Sequence, residues 1–202
     1  MKIFCIGRNY ADHAKELQNE IPDKPIVFMK PPTAILKDDK AFYHPDFSTN
    51  IQHEVEIVLK ISKNGKYVDE KFAHNYYKEF SVGIDFTARD LQTELKAKGQ
   101  PWEIAKAFDN SAVIGQFMPI AAYDLSNLNF SLKSNGQIVQ QGNTSLMLFN
   151  FDRLIAYISQ YFMLQTGDLI YTGTPAGVAK VKLGDILEGF VEEKKVFRTE
   201  IK

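Results

Sequence analysis

Residues 51–60 read IQHEVEIVLK, and their alternating apolar residues predict a β-strand. Strand side chains alternate between two faces, so Glu54 and Glu56 share one face while Val55 and Ile57 point to the other. Two neighbouring carboxylates in an apolar stretch repel each other and resist removal from water, which a bound cation would relieve. The alternative is a solvent-facing stripe on a half-buried strand, the commoner arrangement for a Glu-Val-Glu pattern on its own.

The composition is that of an ordinary soluble globular protein. The chain has 202 residues, 45% of them hydrophobic and 24% charged, and we expect a single domain over residues 1–202. The 24 basic and 25 acidic residues balance, and the absence of a basic stripe argues against nucleic acid or an anionic membrane as a partner. A single cysteine, Cys5, excludes an internal disulfide and a thiolate metal cluster. The opening apolar run is too short for a signal peptide or membrane anchor, so we expect a cytoplasmic protein.

Short strands and a few short helices alternate along the chain, which predicts an α+β, mainly β, fold. The clearest element is a hairpin over Phe130–Gln141, whose two apolar strands flank an Asn-Gly turn. Apolar spacing predicts a helix from about Asp152 to Tyr161. Another helix is expected to start at Thr87, with Thr87 and Asp90 forming a capping box.

The N-terminal region predicts a short helix that carries two adjacent polar side chains. Asn9 is the expected N-cap, and His13 and Glu16 are three residues apart, which makes them neighbours on a helix surface. Three apolar residues share one face of this helix: Tyr10, Ala14 and Leu17. The next stretch, QNEIPDKP, is polar and broken by proline, so we expect a loop that moves.

A third carboxylate, Asp85, ends an apolar strand immediately before a helix. Taken alone, it is an ordinary loop or cap aspartate. Together with Glu54 and Glu56 it would complete an all-oxygen site suited to Mg²⁺ or Mn²⁺, with Ca²⁺ as another candidate. Zinc is disfavoured, because the four histidines form no ligand pattern and the chain has no cysteine cluster.

Four further residues are candidates for binding an anionic substrate. Arg89 and Gln92 lie on one face of the predicted helix, where Arg89 suits a carboxylate and Gln92 a carbonyl or hydroxyl oxygen. Lys106, flanked by apolar residues, either extends to solvent or serves a buried anion. Thr174 lies in a glycine-containing turn whose amides and hydroxyls could bind an anion. Each has a plain alternative: an exposed helix face, an extended lysine or a simple turn.

The sequence also resembles a known family. The motifs GRNYADHAKEL, FMKPPTAI, HEVEIVL, GIDFTARDLQ, PWEIAKAFD and GDLIYTGTPAGV occur in the order typical of the fumarylacetoacetate hydrolase superfamily. The chain is most similar to its short acylpyruvase and oxaloacetate decarboxylase branch, over essentially its whole length. This resemblance implies a mixed β-roll with short peripheral helices, an Mg²⁺ or Mn²⁺ cofactor, a small 2-oxo acid substrate and a homodimer.

The resemblance also implies roles for individual residues. Residues 7–25 would form a mobile lid, on which His13 and Glu16 are a catalytic dyad. The metal ligands would be Glu54, Glu56 and Asp85. The residues that contact substrate would be Arg89, Gln92, Lys106 and Thr174. Ile6 stands where the long fumarylacetoacetate hydrolases supply another acidic ligand, which argues against fumarylacetoacetate as the substrate.

The implied activity is metal-dependent hydrolysis of a C–C bond in an acylpyruvate, with Lys106 stabilising a pyruvate enolate. Decarboxylation of oxaloacetate would pass through the same enolate. Two alternatives stay open: an isomerase or hydratase of a 2-oxo or dienoate dicarboxylic acid, and a non-catalytic β domain that only binds a metal ion.

Overall fold

A computed structural model describes residues 1–16 and 20–202 of the chain. Within these ranges, short strands predominate and the helices are few. The strands are β1 (Ile3–Gly7), β2 (Ile26–Lys30), β3 (Ile35–Leu36), β4 (Ile51–His53), β5 (Val55–Ile61), β6 (Tyr77–Asp85), β7 (Thr87–Ala88), β8 (Ala112–Ile114), β9 (Met118–Pro119), β10 (Asn129–Ser134), β11 (Gln137–Asn143), β12 (Leu169–Tyr171), β13 (Ala179–Lys180), β14 (Ile186–Val191) and β15 (Lys194–Glu200). The α-helices are α1 (Ala11–Glu16), α2 (Arg89–Ala97), α3 (Glu103–Lys106) and α4 (Phe151–Tyr161). The predicted α+β, mainly β, fold is confirmed.

The described strands form three sheets. The large mixed sheet has the order β2-β1-β12-β5-β6-β8-β3, with β9 also paired to β6. In it, β1 runs parallel to β12 and β3 parallel to β8, whereas β5 and β6 are antiparallel. A four-stranded sheet has the order β11-β10-β14-β15, and a small sheet has the order β13-β4-β7. No helix within the described ranges is long and apolar enough to cross a bilayer.

The predicted strand over residues 51–60 is divided at Glu54. Its first part, β4, pairs with β7 and β13 in the small sheet, whereas β5 pairs with β6 and β12 in the large sheet. The division has a physical cause: the Val55 amide donates to a side chain, Gln140 Oε1 at 3.0 Å, instead of a neighbouring strand. Glu54 therefore lies where the chain passes from one sheet to the other.

Both faces of β5 are buried, so the solvent-facing stripe is excluded. Val55, Ile57 and Leu59 are fully buried in the main hydrophobic core, and on the opposite face Glu56 is only 1% exposed. Gly83 faces Glu56 on β6, and a Cβ there would lie 2.2 Å from the Val113 carbonyl oxygen. The close approach of β6 to β8 therefore requires glycine opposite Glu56.

The predicted hairpin is confirmed as β10 and β11, with Asn135 and Gly136 at φ of 51° and 82°. Such positive angles at both central residues are what a tight two-residue hairpin turn requires. The helix predicted from about Asp152 to Tyr161 is also confirmed: it is α4, which spans Phe151–Tyr161.

The predicted capping box is wrong. Thr87 belongs to β7, and α2 begins at Arg89 after Ala88, whose side chain caps nothing. Asp90 instead accepts hydrogen bonds from Ser48 Oγ at 2.6 Å and from the Thr49 amide at 2.8 Å. The capping-box prediction was wrong because the Asp90 carboxylate accepts hydrogen bonds from the 48–49 loop, which is distant in sequence, instead of capping the helix start.

Candidate active site

Glu54, Glu56 and Asp85 converge, and each offers one carboxylate oxygen within 4.8 Å of those of the other two. They are 5%, 1% and 1% exposed. Burial raises the pKa of Glu56 well above its usual value, and repulsion from Asp85 and Glu54 adds to the effect. Three buried carboxylates that repel one another are the arrangement that a divalent cation would relieve.

Other contacts of the triad are consistent with a metal site. Glu56 accepts the Gly173 amide at 2.6 Å, and Asp85 Oδ1, which is buried, has the Lys30 ammonium 2.8 Å away but no aligned hydrogen bond. Oxygen ligands with lone pairs left over are the donor set that Mg²⁺ and Mn²⁺ prefer. The three residues that the sequence nominated therefore fit a divalent ion.

Lys106 lies at the centre of the carboxylate cluster rather than extending to solvent. Its Nζ is 2.7 Å from Glu54 Oε2, 2.7 Å from Asp85 Oδ2 and 2.6 Å from Thr87 Oγ1. Burial opposes its charge, but Asp85 and Glu54 outweigh burial and raise the pKa of Lys106. In the same way, burial opposes ionisation of Glu54, whereas Lys106 and Arg89 lower its pKa. The Lys106 ammonium is therefore held charged, facing the pocket.

A second buried lysine, Lys30, was missed by the sequence analysis. Its Nζ lies 2.8 Å from Asp85 Oδ1 as an ion pair and 2.9 Å from Ser111 Oγ. It also donates to the backbone carbonyl oxygens of Ser111, at 3.2 Å, and of Lys106. Lys30 thus joins Asp85 to the end of α3, which carries Lys106. Its position at the end of an apolar strand, before two prolines, was the signal that could have found it.

Arg89 and Gln92 lie together on the first turns of α2, as predicted. The Arg89 guanidinium donates to Gln92 Oε1 at 2.6 Å, to Gln52 Oε1 at 2.7 Å and to Glu54 Oε1. These contacts fix the guanidinium beside the carboxylate triad. Binding of a substrate carboxylate by Arg89 stays a prediction.

His13 and Glu16 form a pair on α1. Nδ1 of His13 is 3.2 Å from Glu16 Oε2, and Glu16 Oε1 accepts the Gly177 amide at 3.0 Å. Tyr10 and Ala14, which were predicted to share one face, are both buried. Leu17 and the middle of the predicted 7–25 lid, residues 17–19, lie outside the described residues.

Asn9 does not cap α1. Its side chain donates to the carbonyl oxygens of Phe149, at 2.9 Å, and Thr172, at 2.8 Å, and accepts the Phe149 amide at 2.8 Å. Distant segments therefore use the amide that the local pattern assigned to the helix. The result is that the chain is anchored immediately before the helix that carries His13.

The Thr174 loop supports the site through its backbone and through a residue that the sequence analysis missed. Gly173 has φ of +99°, and a Cβ there would lie 2.6 Å from Asn9 Cβ, so only glycine fits where the backbone amide donates to Glu56.

Gln140 is the residue that the sequence analysis missed. Its side chain donates to Thr174 Oγ1 at 2.9 Å, and its Oε1 lies 2.8 Å from His53 Nδ1. It sits beside a register shift in the β10–β11 pairing, and such bulges redirect side chains.

Several of these groups line one pocket that is open to solvent. Among its polar lining residues are His13, Glu54, Glu56, Arg89, Lys106 and Thr174. Apolar side chains, including Ile6, Phe28 and Trp102, complete the wall. A base, cations and a candidate metal site thus face a common space.

The sequence model described as "Fumarylacetoacetate (FAA) hydrolase C-terminal" matches residues 2–201. The chain belongs to this family. It is 38% identical over 201 residues to the mitochondrial oxaloacetate tautomerase of Mus musculus, covering 99% of this chain and 91% of the relative. It is 43% identical over 189 residues to the mitochondrial oxaloacetate decarboxylase of Dictyostelium discoideum, covering 93% and 87%.

The chain is also similar to a solved structure of this family, fumarylpyruvate hydrolase from Pseudomonas aeruginosa in complex with Mn²⁺ and pyruvate. The alignment covers 100% of this chain and 89% of the hydrolase chain. It aligns with a TM-score of 0.94 at 31% identity. The resemblance and fold predicted from the six motifs are thereby confirmed. The relatives named above are enzymes. This finding supports the prediction that the present chain is also an enzyme, and it disfavours the non-catalytic alternative.

Proposed function

We propose that this protein is an Mg²⁺- or Mn²⁺-dependent hydrolase that cleaves a C–C bond in acylpyruvates and releases pyruvate. The observation that carries this proposal is the His13–Glu16 pair, whose His13 lines the same pocket as Glu54 and Glu56 of the triad. Hydrolysis requires a base for water, and the dyad supplies one.

The bound ion would be held by Glu54, Glu56 and Asp85 and would supply Lewis-acid stabilisation of negative charge on the 2-oxo acid. Mn²⁺ is the ion in the fumarylpyruvate hydrolase relative. Arg89 and Lys106 contribute fixed positive charge beside the triad, where the carboxylate and enolate oxygens of the substrate develop charge.

The dyad defines the proton transfers. If Glu16 accepts from Nδ1–H, then Nε2 of a neutral His13 ring is the nitrogen that would take the proton. A water molecule gives that proton to Nε2 and attacks the distal carbonyl carbon. The bond from this carbon to C3 then breaks, its electron pair forms the pyruvate enolate, and protonation at C3 completes pyruvate. The other product is the carboxylic acid of the acyl group.

A second candidate is conversion of oxaloacetate, favoured by the tautomerase and decarboxylase relatives. Decarboxylation gives the same enolate without an attacking water, and tautomerisation needs only a proton transfer. An isomerase or hydratase of a dicarboxylic acid would share this enolate chemistry. The homodimer, the cytoplasmic location and the lack of nucleic-acid or membrane partners stay predictions.

The test compares acetylpyruvate with oxaloacetate, each followed by ultraviolet absorbance in the presence of Mg²⁺. Glu16→Gln should lower hydrolysis of acetylpyruvate at least about ten-fold more than loss of oxaloacetate, since only hydrolysis needs the oriented base. Asp12→Asn is the matched control, because Asp12 lies on the same helix with an 81% exposed side chain. Equal losses on the two substrates would refute the hydrolytic role of the dyad.

A further inference from the structure

Gln140 is buried on β11 and connects the segment between β4 and β5 to the loop that follows β12. Its Oε1 accepts a hydrogen bond from the Val55 amide at 3.0 Å and lies 2.8 Å from His53 Nδ1. Its Nε2 donates to Thr174 Oγ1 at 2.9 Å and to the Pro175 carbonyl oxygen at 3.0 Å. A primary amide has two acceptor lone pairs and two N–H donors, so these four contacts use its whole hydrogen-bonding capacity.

Two backbone groups fix the orientation of the Gln140 amide. The Val55 N–H can only donate a hydrogen bond, and the Pro175 carbonyl oxygen can only accept one. A flipped amide would place Nε2 against the Val55 N–H and Oε1 against the Pro175 oxygen, and both contacts would be repulsive. The oxygen of Gln140 therefore faces β5, and its N–H groups face Thr174 and Pro175.

The orientation of Gln140 decides the role of the Thr174 hydroxyl. Because Nε2 can only donate, Thr174 Oγ1 accepts this hydrogen bond, and the hydroxyl hydrogen must point elsewhere. Within residues 1–16 and 20–202, the hydroxyl has one other contact, the Pro175 carbonyl oxygen at 3.5 Å, which is the outer limit of a hydrogen bond. Thr174 lines the pocket together with Glu54 and Lys106. The hydroxyl hydrogen is therefore left for an oxygen of a ligand.

We propose that Gln140 is a positioning residue, which fixes the Thr174 hydroxyl as a hydrogen-bond donor to a carboxylate or enolate oxygen of the bound 2-oxo acid. A threonine hydroxyl can otherwise donate or accept, and its hydrogen rotates to suit its neighbours. A donor that is oriented before the ligand arrives stabilises negative charge without the cost of reorientation. The inference rests on the proposed function in one respect: the pocket must bind a 2-oxo acid.

The alternative is that Gln140 only holds the loop after β12 in place. The Gly173 amide in this loop donates to Glu56, one of the candidate metal ligands. A displaced loop would therefore weaken binding of the metal ion, whether or not residue 174 has a hydroxyl. The proposed role differs, because it acts on the ligand and only through the Thr174 hydroxyl.

A double-mutant cycle separates these two roles, with the Kd of oxalate measured by calorimetric titration in saturating Mg²⁺. Thr174→Val should weaken oxalate binding about 10- to 100-fold, because a hydrogen bond to a charged oxygen is lost, and Thr174→Ser should bind nearly as wild type does. In the Gln140→Glu background, the carboxylate still accepts from the Val55 amide but also accepts the Thr174 hydrogen. Thr174→Val should then cost less than about three-fold, and the added charge cancels because it is present in both members of the comparison.

Two further variants complete the cycle. Gln140→Met removes the donor to the Pro175 oxygen, which then attracts the Thr174 hydrogen, so it should also reduce the cost of Thr174→Val. Gln141→Glu is the matched control, since it adds the same charge at the next, exposed position of β11, and it should leave the cost of Thr174→Val unchanged.

Three results would overturn the proposal. The first is a cost of Thr174→Val that is equal in the wild-type and Gln140→Glu backgrounds, and the second is the absence of any cost in the wild-type background. The third is a loss of affinity for Mn²⁺ alone in Gln140→Glu that accounts for its whole loss of oxalate affinity, which would leave Gln140 with a structural role only.

A crystal structure of the wild-type protein with Mg²⁺ and oxalate gives a second measurement, which does not depend on the folding of a variant. Thr174 Oγ1 should lie within about 3.0 Å of an oxalate oxygen, and a separation above about 3.5 Å would also overturn the proposal. Oxalate binding requires no turnover. These results would therefore support the role of Gln140 even if acetylpyruvate were not hydrolysed, in which case only the proposed reaction fails.

Discussion

Replacing Lys30 with methionine tests whether the buried lysine behind Asp85 holds the site together. The Lys30 side chain is fully buried, and its ammonium contacts Asp85, Ser111 and the carbonyl oxygen of Lys106. Methionine retains most of the apolar stem but removes the charge and every donor. The backbone oxygens and Asp85 Oδ1 then lose their partner without access to water.

The magnitude follows from the burial of the pair. Removing one partner of a buried ion pair costs about 3–5 kcal/mol of unfolding free energy. Because Lys106 stays 2.7 Å from Asp85 Oδ2, the remaining carboxylate is not wholly unpaired, and we expect the lower end, about 3 kcal/mol. For a chain of this size, that corresponds to a fall in Tm of about 6–12 °C.

The assay is urea unfolding with EDTA present, so that metal binding does not contribute. Lys60→Met is the matched control, since the Lys60–Glu79 pair has the same 2.8 Å separation but side chains that are 38% and 45% exposed. The control should lose less than about 1 kcal/mol. Similar losses in the two variants would refute the argument that burial makes Lys30 structurally important.

Three further predictions concern other parts of the site. Gln140→Leu should lower the free energy of unfolding by about 1–3 kcal/mol in urea, because the buried Val55 amide loses its acceptor; a loss under about 0.5 kcal/mol would contradict this. Burial opposes ionisation of Asp90, but hydrogen bonds from the 48–49 loop and from its own helix outweigh burial and lower its pKa in the folded state. The unfolded state therefore binds a proton at Asp90 more readily than the folded state does. Asp90→Asn should therefore cost about 0.5–1 kcal/mol at pH 7, and the difference from wild type should shrink as the pH falls below about 4; a constant difference would disprove this assignment. Oxalate, which resembles the chelating end of an enolpyruvate, should raise Tm only when Mg²⁺ is present, and an equal rise in EDTA would exclude a shared site.

The carboxylate triad could be predicted from the sequence because each of its charged residues lies within or at the end of an apolar stretch. Glu54 and Glu56 interrupt an apolar strand, and Asp85 ends another. The alternation of side chains along a strand predicted that the two glutamates share one face, although the chain passes from one sheet to another at Glu54 itself. The break was invisible because it depends on the side chain of Gln140, 85 residues away along the chain.

The residues that sequence reasoning missed support the triad from distant segments. Lys30 approaches Asp85 across 55 positions, and Gln140 reaches Thr174 across 34. The failed predictions share this cause: Asn9 and Asp90 both resemble helix caps, yet tertiary partners take their side chains. Local propensity cannot anticipate which distant backbone groups will compete for a polar side chain.

The most direct test of the central claim is the loss of acetylpyruvate absorbance, measured for wild type and Glu54→Ala with Mg²⁺ or with EDTA. We expect wild type to turn over acetylpyruvate in Mg²⁺, with pyruvate as a product, and we expect this turnover to be lost both in EDTA and in the variant. Turnover that persists in EDTA, or an unchanged rate in Glu54→Ala, would contradict a metal-dependent reaction at the carboxylate triad.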